Sequence, residues 1–175
     1  LLEHLPLLRL VGLDRDADAL DAASSELARF GGRVQLRHAR FDRLREVLAD
    51  LGIEAISGAL FDLGVSSPQF DRPERGFSYR YDAPLDMRMD RDDVTTAADI
   101  VNGADADTLG RLFVEHGERR WGRRIAQEIA RRRPVTTTAE LVEAVRAALP
   151  AAVRRTGGHP AKRVFQALRV EVNQE

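Results

Sequence analysis

Apolar residues along this chain follow two different rhythms. Residues 9–14, RLVGLD, form a short apolar run ending on an acid and read as a buried strand. Asp16 can then cap a helix, because Ala17, Leu20, Ala23, Leu27 and Phe30 recur at helical spacing. Gly31-Gly32 stops it, as glycine does past a helix C-terminus. Val34 to His38 reads as a second strand, and Asp42 to Leu51 as a second helix ending at Gly52. Ile53 to Asp62, with the run Ala55-Ile56-Ser57-Gly58-Ala59-Leu60-Phe61, reads as a third, buried strand. Strands alternating with helices through short links imply parallel pairing and right-handed crossovers. The first 62 residues therefore predict part of a doubly wound α/β sheet.

Beyond about residue 80 the rhythm becomes helix upon helix. Thr95-Thr96 can cap AADIVN, and Asp105 can cap DTLGRLFVEHG. Arg119 to Arg132 continues helically with Trp121, Ile125 and Ile129 on one face, until Pro134 breaks it. Thr137 and Glu140 form a capping box for ELVEAVRAAL. A basic link, Arg154 to Gly158, leads to Pro160 in the first turn of a last helix, AKRVFQALRVEVNQE.

Between the two patterns lies DLGVSSPQFDRPERGFS, residues 62–78. A hairpin needs two to five turn residues, and a loop this long in a compact chain is functional or disordered. Leu63, Val65, Phe70, Phe77 and Tyr79 are too many apolar groups for a disordered tail, so the loop is expected to bind something.

Composition changes this picture only in places. The 43% hydrophobic content is that of a globular protein, and no apolar run approaches membrane-spanning length. No cationic, apolar signal-like segment is visible, and the lack of cysteine excludes disulfides and thiolate metal sites. A reducing, cytoplasmic setting is the expectation that fits. Net charge is −1, but unevenly spread. Residues 82–107 carry eight Asp against two Arg, and residues 111–133 carry eight Arg against three Glu. Arginine forks suit phosphate oxygens, so the basic half points to an anionic partner such as RNA, while solvated helix faces are the plainer reading of the same charges.

Ligands of doubly wound sheets bind outside the carboxyl ends of the strands. Two acids, Asp14 and Asp62, stand at such ends. Asp14 can accept hydrogen bonds from ribose hydroxyls, or serve as a helix cap in DRDADAL. Asp62, between Phe61 and Leu63, either faces a ligand or pairs with a neighbouring arginine such as Arg72 or Arg75. Phe41 can stack on a flat ring or belong to the core. His4, His38, His116 and His159 show no metal-ligand spacing, so no metal is expected, and Ser66-Ser67 lacks a GxSxG elbow.

Three stretches, DLGVSSPQFDRPERGFSYRYDAPLDMRMD (62–90), HGERRWGRRIAQEIARRR (116–133) and HPAKRVFQALRVEVNQE (159–175), resemble the bacterial MraW/RsmH family. The resemblance runs from about Leu8 to Glu175. It implies an α/β, Rossmann-like class I methyltransferase core, here partial, with an inserted all-helical domain. The expected divisions are 1–80 for the partial core, 81–157 for the insert and 158–175 for a helix returning to the core. The implied activity is methyl transfer from S-adenosylmethionine to N4 of a cytosine in the decoding region of 16S rRNA, in the small ribosomal subunit. Carried over residue by residue, the cofactor contacts fall on Asp14 (ribose), Phe41 (adenine side), Asp62 and Gln69. No general base is named. The chain opens on Leu1 and ends within a helix at Glu175, so it reads as a fragment lacking the family's glycine-rich GGH loop and its last strands. Lys162 and Val164 stand where many members have Thr. The candidate RNA contacts are Arg119, Arg120, Arg123, Arg124 and Arg131–Arg133, with Arg154, Arg155 and Lys162; some are expected to pair instead with Glu115, Glu118 and Glu128. Two rival readings remain. A nicotinamide-dependent oxidoreductase leaves the long loop and basic helices unexplained, and a non-catalytic RNA-binding or ribosome-assembly module leaves Asp62 without a purpose.

Overall fold

The computed structural model describes residues 1–62, 64–154 and 159–175, apart from the side chains of Ser67, Pro68 and Arg154. The chain forms two compact units. One holds Leu1–Asp62 with Met89–Asp92, the other Leu63–Arg88 with Asp93–Glu175.

In the first unit, β1 (Leu10–Asp14) and β2 (Val34–His38) pair in parallel, from Leu10 opposite Val34 to Asp14 opposite His38. The crossover between them is α1 (Ala17–Leu27), which packs on both strands. Its N-cap is Asp16, 3% exposed, whose carboxylate accepts the Asp18 N–H. A 3₁₀ turn over Ala28–Arg33 ends the crossover, with Gly31 at φ 53°, where a side chain would be strained. After β2, a 3₁₀ turn at Phe41–Arg43 leads into α2 (Leu44–Asp50).

The expected third strand is not formed. Residues 53–62 carry no ladder among the described residues, and Ile56, Leu60 and Phe61 are 46%, 92% and 53% exposed. An apolar run becomes a strand only when a neighbour accepts its backbone groups, and a ladder is non-local, so composition alone misleads here.

The second unit is helical, with one isolated bridge between Pro84 and Thr137. After α3 (Ser67–Asp71) and a 3₁₀ turn at Pro73–Arg75 come α4 (Ala97–Gly103), α5 (Ala106–Glu115) and α6 (Gly122–Arg132). Then follow α7 (Thr138–Ala148), α8 (Ala151–Arg154) and α9 (Lys162–Asn173). The predicted caps hold: Thr96 with Asp99 and Thr137 with Glu140 make reciprocal capping boxes, and Asp105 accepts the Thr108 N–H. Helix α5 packs on α6 and α9, α6 on α7, and α4 on α6 and α9. Leu109, Phe113, Ile125, Ile129, Leu141 and Leu168 are fully enclosed between them.

Downstream of α3, much of the loop region belongs to this core rather than to a ligand. Phe77, Leu85 and Met87 are buried, and the backbone is tied down by Leu85 N–H to Thr136 O, Thr138 N–H to Ala83 O and Met87 N–H to Arg75 O. Buried Asn173, at the end of α9, donates to Met87 O at 2.8 Å. Gly76 sits at φ 72°, and a Cβ there would lie 2.4 Å from Pro84 O, so only glycine fits this bend. No helix among the described residues is long and apolar enough to cross a membrane.

Candidate functional site

Parallel pairing brings the carboxyl ends of β1 and β2 to one edge of the first unit. Asp14 ends β1 opposite His38, which ends β2, and Phe41 follows three residues later. Asp14 is exposed, and its Oδ1 accepts the Asp16 N–H at 2.8 Å, while its own carbonyl accepts the Ala39 N–H. The helix cap is thus Asp16, and Asp14 holds the turn before it with one carboxylate oxygen. His38 Nε2 lies 2.8 Å from Arg15 O and 3.2 Å from Asp90 Oδ2, so the same edge carries a second acid. Phe41 is 49% exposed, and its ring meets Phe61 edge-on at 6.4 Å and 85°. That contact holds the Phe61–Asp62 end of the apolar run to the segment after β2. Asp62, also exposed, ends the longer of this unit's two segments. The edge therefore offers carboxylates for hydroxyl or amine donors and an aromatic face for a flat ring, with none of these side chains committed to a core.

The fourth candidate, Gln69, belongs to the other unit, where it is 5% exposed and its Oε1 accepts the Ser66 N–H at 3.0 Å. In this arrangement the side chain stabilises its own loop. Arg75, one of the two arginines weighed as a partner for Asp62, is buried in the second unit. Its Nη2 donates to Arg88 O at 3.0 Å, and its guanidinium lies 5.9 Å from the Phe77 ring. It also faces Asp86. Burial raises the Asp86 pKa, but the hydrogen bonds from Arg88 and the charges of Arg88 and Arg75 outweigh it, leaving that carboxylate below its ordinary value.

The basic surface divides in two. Arg131 and Arg132 pair with Glu128 at 3.2 and 2.7 Å, and Arg133 donates to the carbonyls of Val101 and Ala104. Arg133 is thus held by the fold, whereas Arg131 and Arg132 share one surface carboxylate and stay 76% and 42% exposed. Arg119, Arg120, Arg123 and Arg124 are exposed around the start of α6, and among the described residues none has a carboxylate within 4 Å. Lys162, exposed at the start of α9, lies two residues before fully buried Val164. Arg155 lies outside the described residues, as does the side chain of Arg154. No group of His, Asp or Glu among the described residues could hold a metal ion.

Sequence reasoning missed one part of this surface. Helical spacing puts Trp121 on one face with Ile125 and Ile129. Both isoleucines are fully buried, but Trp121 is half-buried, with the Arg120 and Arg124 guanidinia 4.9 and 6.0 Å from its ring centroid. The signal was the spacing RRWGRR, an aromatic between two arginine pairs.

Comparison with known proteins gives this geometry its context. A protein from Thermobifida fusca (strain YX) named ribosomal RNA small subunit methyltransferase H is 57% identical over 178 residues, covering 100% of this chain and 54% of that protein. Proteins of the same name from Mycolicibacterium smegmatis (strain ATCC 700084 / mc(2)155) and Parafrankia sp. (strain EAN1pec) are 58% and 55% identical, covering 99% and 100% of this chain and 48% and 54% of their own length. The chain spans about half the length of the curated relatives it matches. The model of the MraW methylase family matches residues 1–175, and the chain belongs to that family.

Proposed function

We propose that the protein carrying this chain transfers a methyl group from S-adenosylmethionine to N4 of a cytosine in the decoding region of 16S rRNA. The observation that carries the reading is the open edge of the first unit, Asp14, Phe41 and Asp62 around the ends of two parallel strands, in a chain of a methylase family. The names of the relatives support ribosomal RNA as the substrate. The reading includes a Rossmann-like core held in part by residues 1–80, a helical insert over 81–157, a returning helix over 158–175, and a cytoplasmic setting with the small ribosomal subunit as partner.

The donor set fits the cofactor. Asp14 uses one carboxylate oxygen on the Asp16 N–H, which leaves the other to accept from a ribose hydroxyl. The exposed Phe41 ring gives the adenine a face to lie on. When bound, S-adenosylmethionine supplies an electrophilic methyl group and its own leaving group, so no covalent nucleophile is required of the protein. What the chain must supply is alignment, which for a weakly nucleophilic exocyclic amine is worth several kcal/mol. Asp62 or backbone carbonyls of the loop that follows it would accept from the cytosine amino group and orient it. Gln69 joins this set on the family resemblance alone, its Oε1 accepting the Ser66 N–H in this structure. Arg119, Arg120, Arg123 and Arg124, with Lys162, would hold the phosphates, together with Arg154 and Arg155.

The test is methyl transfer from labelled S-adenosylmethionine to small ribosomal subunits lacking the modification, by a protein spanning the full length of the relatives and containing this chain. Label in N4-methylcytidine after nuclease digestion is the expected result. Cofactor binding with no methylated nucleoside would overturn the assigned acceptor, and absence of cofactor binding would overturn the reading as a whole. Asp14→Asn keeps an oxygen for the Asp16 N–H but removes the charge, and should weaken cofactor affinity about tenfold with little change in stability.

A further inference from the structure

We infer that Trp121 is a stacking platform for an unpaired base of the RNA, with Arg120 and Arg124 as the guanidinia that clamp it. This deepens the proposed reading of the basic surface and rests on it. Three observations converge on the residue. Trp121 is the only tryptophan in the chain, and it is half-buried at the start of α6, where its neighbours Ile125 and Ile129 are fully buried. Its ring is approached by two guanidinia, Arg120 at 4.9 Å and Arg124 at 6.0 Å. Two nearby acids have nearer partners than these guanidinia, although the charge of Arg124 also reaches Glu128. Glu118 is 8% exposed, accepts the Trp121 N–H at 3.2 Å and faces Arg163 at 3.9 Å, and Glu128 holds Arg131 and Arg132.

A guanidinium and a nucleobase are both flat and compete for the same aromatic face. In the free protein the arginines shield the indole. A splayed base can replace one of them over the ring, and the displaced arginine, still tethered beside it, turns to the adjoining phosphate. Stacking is tolerant of base identity, so the platform would position single-stranded RNA without choosing the target nucleotide. Arg119 and Arg123, exposed and without acid partners within 4 Å among the described residues, extend the positive track on either side.

These 175 residues hold one tryptophan, so the emission of this chain by itself reports on that position alone. The experiment titrates this 175-residue chain with a short, cytosine-containing single-stranded RNA, following indole emission and, in parallel, the anisotropy of the same RNA end-labelled. The expected result is quenching with the midpoint seen by anisotropy. Trp121→Leu should weaken binding about tenfold, and Trp121→Phe, which keeps a ring, should restore most of it. RNA binding without any change in emission, or with unchanged affinity in Trp121→Leu, would overturn the platform while leaving the basic surface in place. No binding even at low salt would overturn both. The quenching measurement needs no variant, so it stands whether or not Trp121→Leu folds.

Discussion

Phe113 in the helical unit is fully buried, whereas Leu60 in the strand unit is 92% exposed, and the contrast extends through both units. Helices α4 to α7 and α9 enclose a continuous set of leucine, isoleucine, valine and phenylalanine side chains. In the strand unit only Leu2, Asp16 and Met89 are buried among the described residues, and Leu10, Phe41, Ile56 and Phe61 are each at least a third exposed. The stability of the chain therefore resides in the helical unit. The strand unit carries the exposed carboxylates and aromatic ring that suit a ligand, on a frame that commits little apolar area to its own interior.

Paired substitutions test this division. Phe113→Ala should cost about 3–5 kcal/mol, because it removes a large side chain from a place with no room to collapse. Leu60→Ala should stay within about 0.5 kcal/mol of the parent. Urea denaturation followed by helical ellipticity would measure both. Similar losses at the two positions would mean that the run 55–61 is held in a core after all.

A second pair asks the same of the backbone. Gly76→Ala places a Cβ 2.4 Å from Pro84 O and 2.7 Å from Asp86 N, at a φ of 72°, and should cost about 1–3 kcal/mol. Gly58→Ala meets nothing within 4 Å and should be neutral or slightly stabilising, by up to about 1 kcal/mol. Smaller still, Thr137→Ala breaks the α7 capping box and should cost about 1 kcal/mol. Its effect should appear as faster amide exchange in the first turn of α7, with the strand unit unchanged.

Such local devices were the legible part of the sequence. Asp16, Thr96, Asp105 and Thr137 cap the helices they were expected to cap, because an N-cap and the N–H groups that donate to it lie within three residues of each other. The pairing of β1 with β2 was also readable, since a helix between two strands leaves a parallel crossover as the natural outcome, and with it Asp14 and Phe41 near one edge. What escaped depends on distant partners. Residues 53–62 have a strand's composition but no ladder, and Phe77, Leu85 and Met87 are buried without helical or strand periodicity. Arg133 resembles its neighbours in sequence, yet binds the carbonyl of Val101, 32 residues away. Gln69 came from family resemblance alone, and its burial against its own loop could not have been read from spacing.

The smallest expected effect is one of pH, and it falls in the helical unit. His159 stacks on Tyr79 at 4.2 Å and 10°, Tyr79 meets Phe165 edge-on at 5.7 Å, and the Ala161 N–H donates to His159 Nδ1 at 3.3 Å. Burial first, and then the charge of Arg146, holds the His159 pKa below its ordinary 6.5. Arg80, Asp82 and Glu143 line the same depression. With the folded pKa lowered, the unfolded chain takes up a proton first as pH falls. The contribution of the neutral ring is complete above about pH 6.5 and is lost as pH drops through that value toward the folded pKa. His159→Phe keeps an aromatic ring against Tyr79 but cannot titrate. Its melting temperature should fall less than the parent's between pH 7.5 and about pH 5.5, the difference isolating this residue from the other three histidines. Equal slopes would mean that the Tyr79 stack tolerates the imidazolium, and that packing in the helical unit is less demanding at its rim than at Phe113.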